Sequence, residues 1–151
     1  MGETRTRSFM DIALAQARAA AEAGEVPIGC VIVQKGKVIA RAGNQTLGAT
    51  DPTAHAEIIA IRQAADAVGS ERLTDCDLYV TLEPCTMCAA AISFARIRRL
   101  YYGAADPKGG AVESGVRYFS AATCLHRPEV YGGIGESEAA ALLRNFFVLR
   151  R

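Results

Sequence analysis

The stretch DLYVTLEPCTMCAAAISFA, residues 77–95, contains the strand, the turn and the helix that decide the fold. Its first six residues are mostly apolar or β-branched, which predicts a buried strand. Pro84 is tolerated at the start of a helix, and the alanine-rich residues after it predict a helix to about Ala95. Cys85 and Cys88 therefore lie in its first turn, where free backbone N–H groups and the helix dipole favour a thiolate over a thiol.

Strand and helix signals alternate along the rest of the chain. Apolar residues at helical spacing predict one helix over residues 8–23 and another that begins at Asp51-Pro-Thr53, capped by Asp51 or Thr53, and ends before Gly69. Four more strands are expected at residues 28–33, 38–42, 98–104 and 129–131, the first two joined by a turn at 34–37, and a last helix at about 137–149. This alternation predicts one α/β domain over residues 1–151, with a largely parallel sheet and helices on its faces.

The composition is that of a globular protein, because 50% of the 151 residues are hydrophobic and 22% are charged. The net charge of +1 argues neither for nor against nucleic acid as a partner. The five cysteines are an odd number, no secretory signal precedes them, and no stretch reaches the length of a membrane span. We therefore expect a cytoplasmic location and no membrane partner.

His55-Ala-Glu57 and the cysteine pair together offer three zinc ligands and one free carboxylate. His55, Cys85 and Cys88 would leave the fourth position of a tetrahedral zinc ion open for water, as in a catalytic rather than a structural site. We expect His55 in the first turn of its helix. Positions two apart on a helix do not face each other, so His55 and Glu57 can serve one ion only if it lies off the helix end. The spacing therefore predicts two helix N-termini that point at one zinc ion.

This set of residues predicts hydrolytic chemistry. Zinc lowers the pKa of its water from about 15.7 to about 7, which supplies a nucleophile at neutral pH. Glu57 would take a proton from that water and pass it on to the reacting substrate. We therefore expect a carboxylate at residue 57 to be essential for turnover but not for metal binding.

Other interpretations of the cysteines stay open on the sequence alone. The Cys-x-x-Cys pair could be a thioredoxin-like redox pair, or part of a structural zinc site completed by Cys76 or Cys124. A non-catalytic, zinc-stabilised RNA-binding module would leave Glu57 without a role. Cys30 lies in an apolar strand and is expected in the core, while His126 is expected in a loop or at the surface.

Four segments carry a resemblance to a known family: Glu25-Val-Pro-Ile-Gly29, Asp51-Pro-Thr-Ala-His-Ala-Glu-Ile58, Thr81-Leu-Glu-Pro-Cys-Thr-Met-Cys88 and Asp106-Pro-Lys108. With them the chain resembles the cytidine deaminase superfamily and, within it, the bacterial tRNA-specific adenosine deaminases, which convert adenosine to inosine at the anticodon wobble position. Zinc deaminases of free bases and nucleosides share the metal motif but usually not the other segments. A deaminase of a free base or nucleoside, such as guanine or cytosine, is the nearest alternative.

The resemblance implies a three-layer α/β/α fold in which a mixed five-stranded sheet has helices on both faces. It implies one Zn²⁺ per subunit, bound by His55, Cys85 and Cys88, with Glu57 as the catalytic proton carrier. It also implies a homodimer whose two subunits contact the anticodon stem-loop of a tRNA. Substrate contacts are implied for four further residues: Asn44 hydrogen-bonded to a flipped base, Ile28 along its face, the Ala56 backbone close to it, and Asp106 beside the neighbouring ribose. Cys30 departs from the family, which more often has alanine there.

Overall fold

The computed structural model describes residues 2–150, so residues 1 and 151 of the expected domain lie outside the described range. The helices are α1 (Gly2–Glu22), α2 (Ala56–Val68), α3 (Thr86–Ala95) and α4 (Glu136–Leu149), with a short 3₁₀ helix at Tyr118–Ser120. The strands are β1 (Gly29–Gln34), β2 (Lys37–Gly43), β3 (Cys76–Leu82), β4 (Arg99–Ala104) and β5 (Glu129–Tyr131). No helix within residues 2–150 is long and apolar enough to cross a membrane.

The five strands form one mixed sheet in the order β2-β1-β3-β4-β5. β1 is antiparallel to both β2 and β3, whereas β3, β4 and β5 run parallel to one another. The expectation of a largely parallel sheet is therefore wrong for its first half, and the mixed five-stranded sheet implied by the resemblance is confirmed. The tight turn at Lys35 and Gly36, with φ of 51° and 77°, returns β2 antiparallel to β1.

Helices cover both faces of this sheet, which confirms the three-layer arrangement. α1 and α4 pack on one face, and α2 and α3 pack on the other. Alternate residues of β1 point to opposite sides, so Cys30 and Ile32 join the α2–α3 core while Val31 and Val33 join the α1–α4 core. All four side chains are buried, which explains why β1 is apolar without interruption.

The fit between α1 and the sheet depends on a glycine at the start of β1. A Cβ atom on Gly29 would lie 1.9 Å from the backbone oxygen of Ala13 and 2.6 Å from the backbone nitrogen of Ala17. Only glycine allows the strand to lie this close to the helix backbone. Gly29 pairs with Gly43, so this contact lies at the ends of the two strands, directly beside Ile28 and Asn44.

Most expected boundaries agree with the structure to within two residues, but two helix starts do not. α1 begins at Gly2 rather than at residue 8, and α2 begins at Ala56 rather than within residues 51–53. Asp51 Oδ1 accepts hydrogen bonds from the backbone N–H and the hydroxyl of Thr53, at 2.9 and 2.7 Å. These bonds form a local turn ahead of the helix, so the prediction of Asp51 or Thr53 as the helix cap is wrong.

Candidate active site

The N-termini of α2 and α3 meet at one place. His55 and Cys85 are the residues that precede these helices, and both have extended backbones, with φ and ψ of −72° and 152° for His55 and −73° and 176° for Cys85. Both were expected in the first turn of their helices and lie one residue before it, while Cys88 lies within the first turn of α3 as expected. The ligand atoms of the three residues lie within 4.8 Å of one another, so two helix N-termini converge on them as the H-x-E spacing predicts.

The separations between these atoms suit a zinc ion. His55 Nδ1 lies 3.7 Å from Cys85 Sγ and 3.5 Å from Cys88 Sγ. A tetrahedral zinc ion with Zn–S and Zn–N bonds of about 2.3 and 2.05 Å requires an N···S separation of about 3.6 Å. The three side chains thus could hold a metal ion without rearrangement, and their two sulfurs and one imidazole are donors that zinc prefers.

The electrostatics of the group favour one thiolate. A hydrogen bond with the Cys88 thiol lowers the pKa of Cys85 to about 4, and His55 adds to this effect. The same hydrogen bond, together with burial, raises the pKa of Cys88 well above its usual range. The contact with Cys85 also raises the pKa of His55. A bound cation would take the place of these shared protons, because metals bind thiolates and neutral imidazole.

Glu57, the second residue of α2, lies beside the group and is only 4% exposed. Burial raises the pKa of its carboxyl to about 7, its own backbone N–H opposes the rise, and the charge on Cys85 reinforces it. The side chain also contacts Cys88. A carboxyl group with a pKa near neutrality can both accept and donate a proton at physiological pH.

Asn44 and Ile28 lie side by side and are linked through the backbone to the segment that leads into His55. The Asn44 backbone N–H donates to Ile28 O at 3.0 Å, and the Gln45 backbone N–H donates to Ala54 O at 2.9 Å, which ties the pair to the segment leading into His55. Asn44 is 6% exposed, and its Oδ1 accepts no hydrogen bond within residues 2–150. An unpaired buried acceptor costs about 1–3 kcal/mol, so this oxygen is poised for a donor from a ligand.

The other two expected substrate contacts lie on different elements. Ala56 is the first residue of α2 and is fully buried beside His55. Asp106 lies in the loop after β4, where its Oδ1 accepts the backbone N–H groups of Lys108 and Gly109 at 3.2 and 3.0 Å. Its Oδ2 receives no hydrogen bond from the described part of the chain. The loop is tied to the turn before Cys85 because the Asp106 backbone N–H donates to Glu83 Oε1 at 2.9 Å.

Two buried carboxylates that hold the loops around this site were missed in the sequence. Glu83 is 2% exposed and accepts five hydrogen bonds from residues 106–114. Burial opposes its charge, but the backbone hydrogen bonds outweigh burial and hold the pKa of Glu83 below its usual value. Glu25 is 4% exposed and accepts the backbone N–H groups of Leu47 and Gly48 at 3.1 and 2.7 Å. The sequence does contain a signal for both residues, because each is an acidic residue within an apolar segment. Such a residue is expected to be buried and paired with hydrogen-bond donors, since buried carboxylates are nearly always paired.

The remaining cysteines lie outside the group. Cys30, Cys76 and Cys124 are buried free thiols, and Cys30 lies in the core as expected. Within residues 2–150, the His55 group is the only cluster of histidine, cysteine and carboxylate side chains that could hold a metal ion. This argues against a structural zinc site completed by Cys76 or Cys124. His126 is half-buried, and its Nε2 lies 2.7 Å from Ile97 O, which is a structural contact.

Known proteins are similar to this chain in both sequence and fold. The chain matches the family model of the MafB19-like deaminases over residues 4–151. It is 67% identical over 143 residues to the tRNA-specific adenosine deaminase of Agrobacterium fabrum, and the match covers 95% of this chain and 94% of that protein. A solved structure from studies of A-to-I editing by tRNA deaminases at the wobble position of transfer RNA has a TM-score of 0.89 and 68% identity, covering 90% of this chain and 99% of that one. The guanine deaminase from Nitrosomonas europaea, 23% identical with a TM-score of 0.78 over 94% of this chain and 84% of that one, has the same fold.

Proposed function

The chain belongs to the MafB19-like deaminase family, and we propose that it is a single deaminase domain, residues 1–151, that converts adenosine to inosine at the wobble position of a tRNA anticodon. One observation carries the proposal: His55, Cys85 and Cys88 lie between two helix N-termini with Glu57 buried beside them. The names of the relatives with high identity support the choice of tRNA adenosine over other substrates.

His55, Cys85 and Cys88 would hold one Zn²⁺ per subunit. A zinc ion in this place supplies a Lewis acid that makes water nucleophilic near neutral pH. The protein contributes two further features. The N-termini of α2 and α3 place positive dipole ends at the site, and these favour the thiolate form of the cysteines.

Glu57 would carry the protons of the reaction, in which water replaces the amine of adenosine and ammonia leaves. The carboxylate takes a proton from the attacking water and passes it to a ring nitrogen of the base. It then moves a second proton to the departing amine, so that adenosine and water give inosine and ammonia. Burial of Glu57, which raises its pKa to about 7, suits a group that must accept and donate in turn.

Four residues around this centre would hold the nucleotide. Asn44 offers a buried Oδ1 without a partner in the described chain to an extruded base. Ile28 provides an apolar wall, and the Ala56 backbone lies next to His55 at the start of α2. Asp106 would accept a ribose 2′-hydroxyl through its Oδ2, which gives a physical reason to prefer RNA over DNA.

The proposed substrate is the anticodon stem-loop of a tRNA, which places the protein in the cytoplasm. We also propose that it acts as a homodimer. An apolar face of α2 and α3 supports this, because Phe94 is 70% exposed there and lies beside Ile58, Ile61 and Ala91. Light scattering after size exclusion should give twice the mass of 16.0 kDa, and Phe94→Glu should give the single mass.

A direct experiment separates this function from deamination of a free base. The zinc-loaded protein is incubated with an anticodon stem-loop that has adenosine at the wobble position and, separately, with guanine and with cytosine. Inosine in the stem-loop with neither free base converted supports the proposal. Turnover of guanine or cytosine without inosine would establish the alternative. Glu57→Gln, run beside the wild type, controls for a contaminating deaminase, since it should bind zinc and form inosine at least about 100-fold more slowly.

A further inference from the structure

Glu83 connects the turn before Cys85 to the loop that contains Asp106. The two oxygens of its carboxylate accept hydrogen bonds from different donors. Oε1 accepts the Asp106 backbone N–H at 2.9 Å and the Ser114 hydroxyl at 3.0 Å. Oε2 accepts three backbone N–H groups, those of Val112, Glu113 and Ser114, at 2.9–3.1 Å. Every one of these donors lies in residues 106–114, which we name the ribose loop.

The ribose loop is closed tightly around this carboxylate. A Cβ atom on Gly110 would lie 2.5 Å from Glu83 Cδ and 2.6 Å from Asp106 O, so the loop approaches the carboxylate as closely as glycine permits. Glu83 itself lies two residues before Cys85 and at the end of β3. The Glu83 side chain thus links the end of β3 and the turn before Cys85 to the ribose loop.

We propose that Glu83 is a positioning residue for RNA binding, whose carboxylate fixes the ribose loop so that Asp106 faces the ribose beside the target base. The inference rests on the proposed function, because it needs the ribose contact of Asp106. Glu83 touches no reacting atom in this role. It acts through Asp106, so its removal should weaken the binding of RNA much more than the chemical step.

Glutamine at residue 83 tests this role because its effect can be worked out from the donors. If the glutamine NH₂ group took the place of Oε2, it would face three backbone N–H donors, and all three hydrogen bonds would be lost. If it took the place of Oε1, only the hydrogen bond from the Asp106 N–H would be lost, because the Ser114 hydroxyl can rotate and accept from the NH₂ group. The second orientation is the less costly one. Glu83→Gln therefore loosens Asp106 while it keeps the three bonds to residues 112–114.

The first measurement is the kinetics of inosine formation in the stem-loop. Glu83→Gln should raise KM by roughly ten- to hundredfold, the range for a lost hydrogen bond to a charged group, and should change kcat far less. Asp106→Ala should raise KM as well, and adding Glu83→Gln to it should give no further rise. Additive effects of the two changes, or a loss confined to kcat, would overturn the inference.

The second measurement is amide hydrogen exchange without RNA, which does not depend on activity. In Glu83→Gln the Asp106 amide should exchange faster, while the amides of residues 112–114 stay protected. An unchanged Asp106 amide overturns the inference whatever the substrate is. If the wild type forms no inosine, the proposed function is wrong, and the exchange data still decide whether Glu83 anchors the loop.

Two further variants complete the experiment. Glu113→Gln makes the same charge change in the same loop, but within residues 2–150 the Glu113 side chain accepts only from the Tyr102 hydroxyl, and glutamine can accept that bond too. It should keep the wild-type KM and exchange, and equal effects in both glutamine variants would overturn the inference. Should Glu83→Gln fail to fold, Ser114→Ala removes the second donor at Oε1. It should raise KM by about two- to tenfold, and a wild-type KM would contradict the proposal.

Discussion

Asn44→Ala is expected to weaken substrate binding without lowering the free energy of unfolding. This combination is unusual for a buried polar residue. Asn44 is 6% exposed, and its Oδ1 has no hydrogen-bond donor within residues 2–150. Removing an unpaired buried acceptor recovers about 1–3 kcal/mol, and the small void left by the shorter side chain costs about 1 kcal/mol. The net change in the free energy of unfolding should therefore lie between zero and about +2 kcal/mol.

Thermal unfolding without RNA measures this change. For a domain of this size, 1 kcal/mol corresponds to about 2–4 °C, so Tm should rise by zero to about 8 °C. The kcat/KM for inosine formation should fall by at least about tenfold, since the base loses a buried hydrogen bond. Gln45→Ala, the exposed amide next in the chain, should leave Tm nearly unchanged. A clear loss of stability in Asn44→Ala would refute the reasoning, because it would show that Oδ1 is satisfied within the protein.

Four further outcomes are expected. Glu57→Gln should keep its zinc, measured by inductively coupled plasma mass spectrometry, while kcat falls by about 10²- to 10⁴-fold. Cys88→Ser should lose zinc to a chromogenic chelator more readily than the wild type, because one of three protein donors is weakened. Gly29→Ala should lower the free energy of unfolding in urea by about 1–3 kcal/mol, because its Cβ would lie 1.9 Å from Ala13 O. Glu83→Gln should lower Tm at neutral pH, and its gap from the wild type should narrow as the pH falls below 4.5. The pKa of Glu83 is lowered by folding, so its stabilising contribution is present above the unfolded pKa and is lost as the carboxylate is protonated.

A specific result would contradict each of these four predictions. A wild-type kcat in Glu57→Gln would remove this residue from the proton path, and wild-type zinc affinity in Cys88→Ser would remove that thiol from the ligand set. A Gly29→Ala variant as stable as the wild type would show that α1 can move away from β1. A Tm gap for Glu83→Gln that is constant from neutral to acid pH would show that its carboxylate contributes nothing through its charge.

Local patterns in the sequence were enough to predict the elements that carry the proposed metal ligands. The apolar run of β3 and the alanine-rich α3 follow each other directly, so the position of Cys85 and Cys88 depends only on neighbouring residues. The H-x-E spacing similarly requires a helix end near His55, and the structure has one. Hydrophobic periodicity and helix-end chemistry are local, which is why these features could be read without the fold.

Features that depend on distant residues could not be predicted. The predicted start of α2 is too early for a different, local reason, because Asp51 bonds Thr53 in a turn that has the same residue types as a helix cap. The donors to Glu83 lie 23 to 31 residues further along the chain, and nothing near Glu83 in sequence announces them. That Asn44 Oδ1 is buried without a donor within residues 2–150 likewise cannot be read from its neighbours in the sequence. Such contacts appear only when strands and loops have been brought together.

The most direct test of the proposed function compares two anticodon stem-loops. In one the only loop adenosine is at the wobble position, and in the other it is moved to the adjacent loop position. The zinc-loaded wild-type protein acts on each, and mass spectrometry of the nucleosides measures inosine. We predict inosine from the first stem-loop and none from the second. No inosine from either, or equal amounts from both, would contradict deamination of the wobble adenosine.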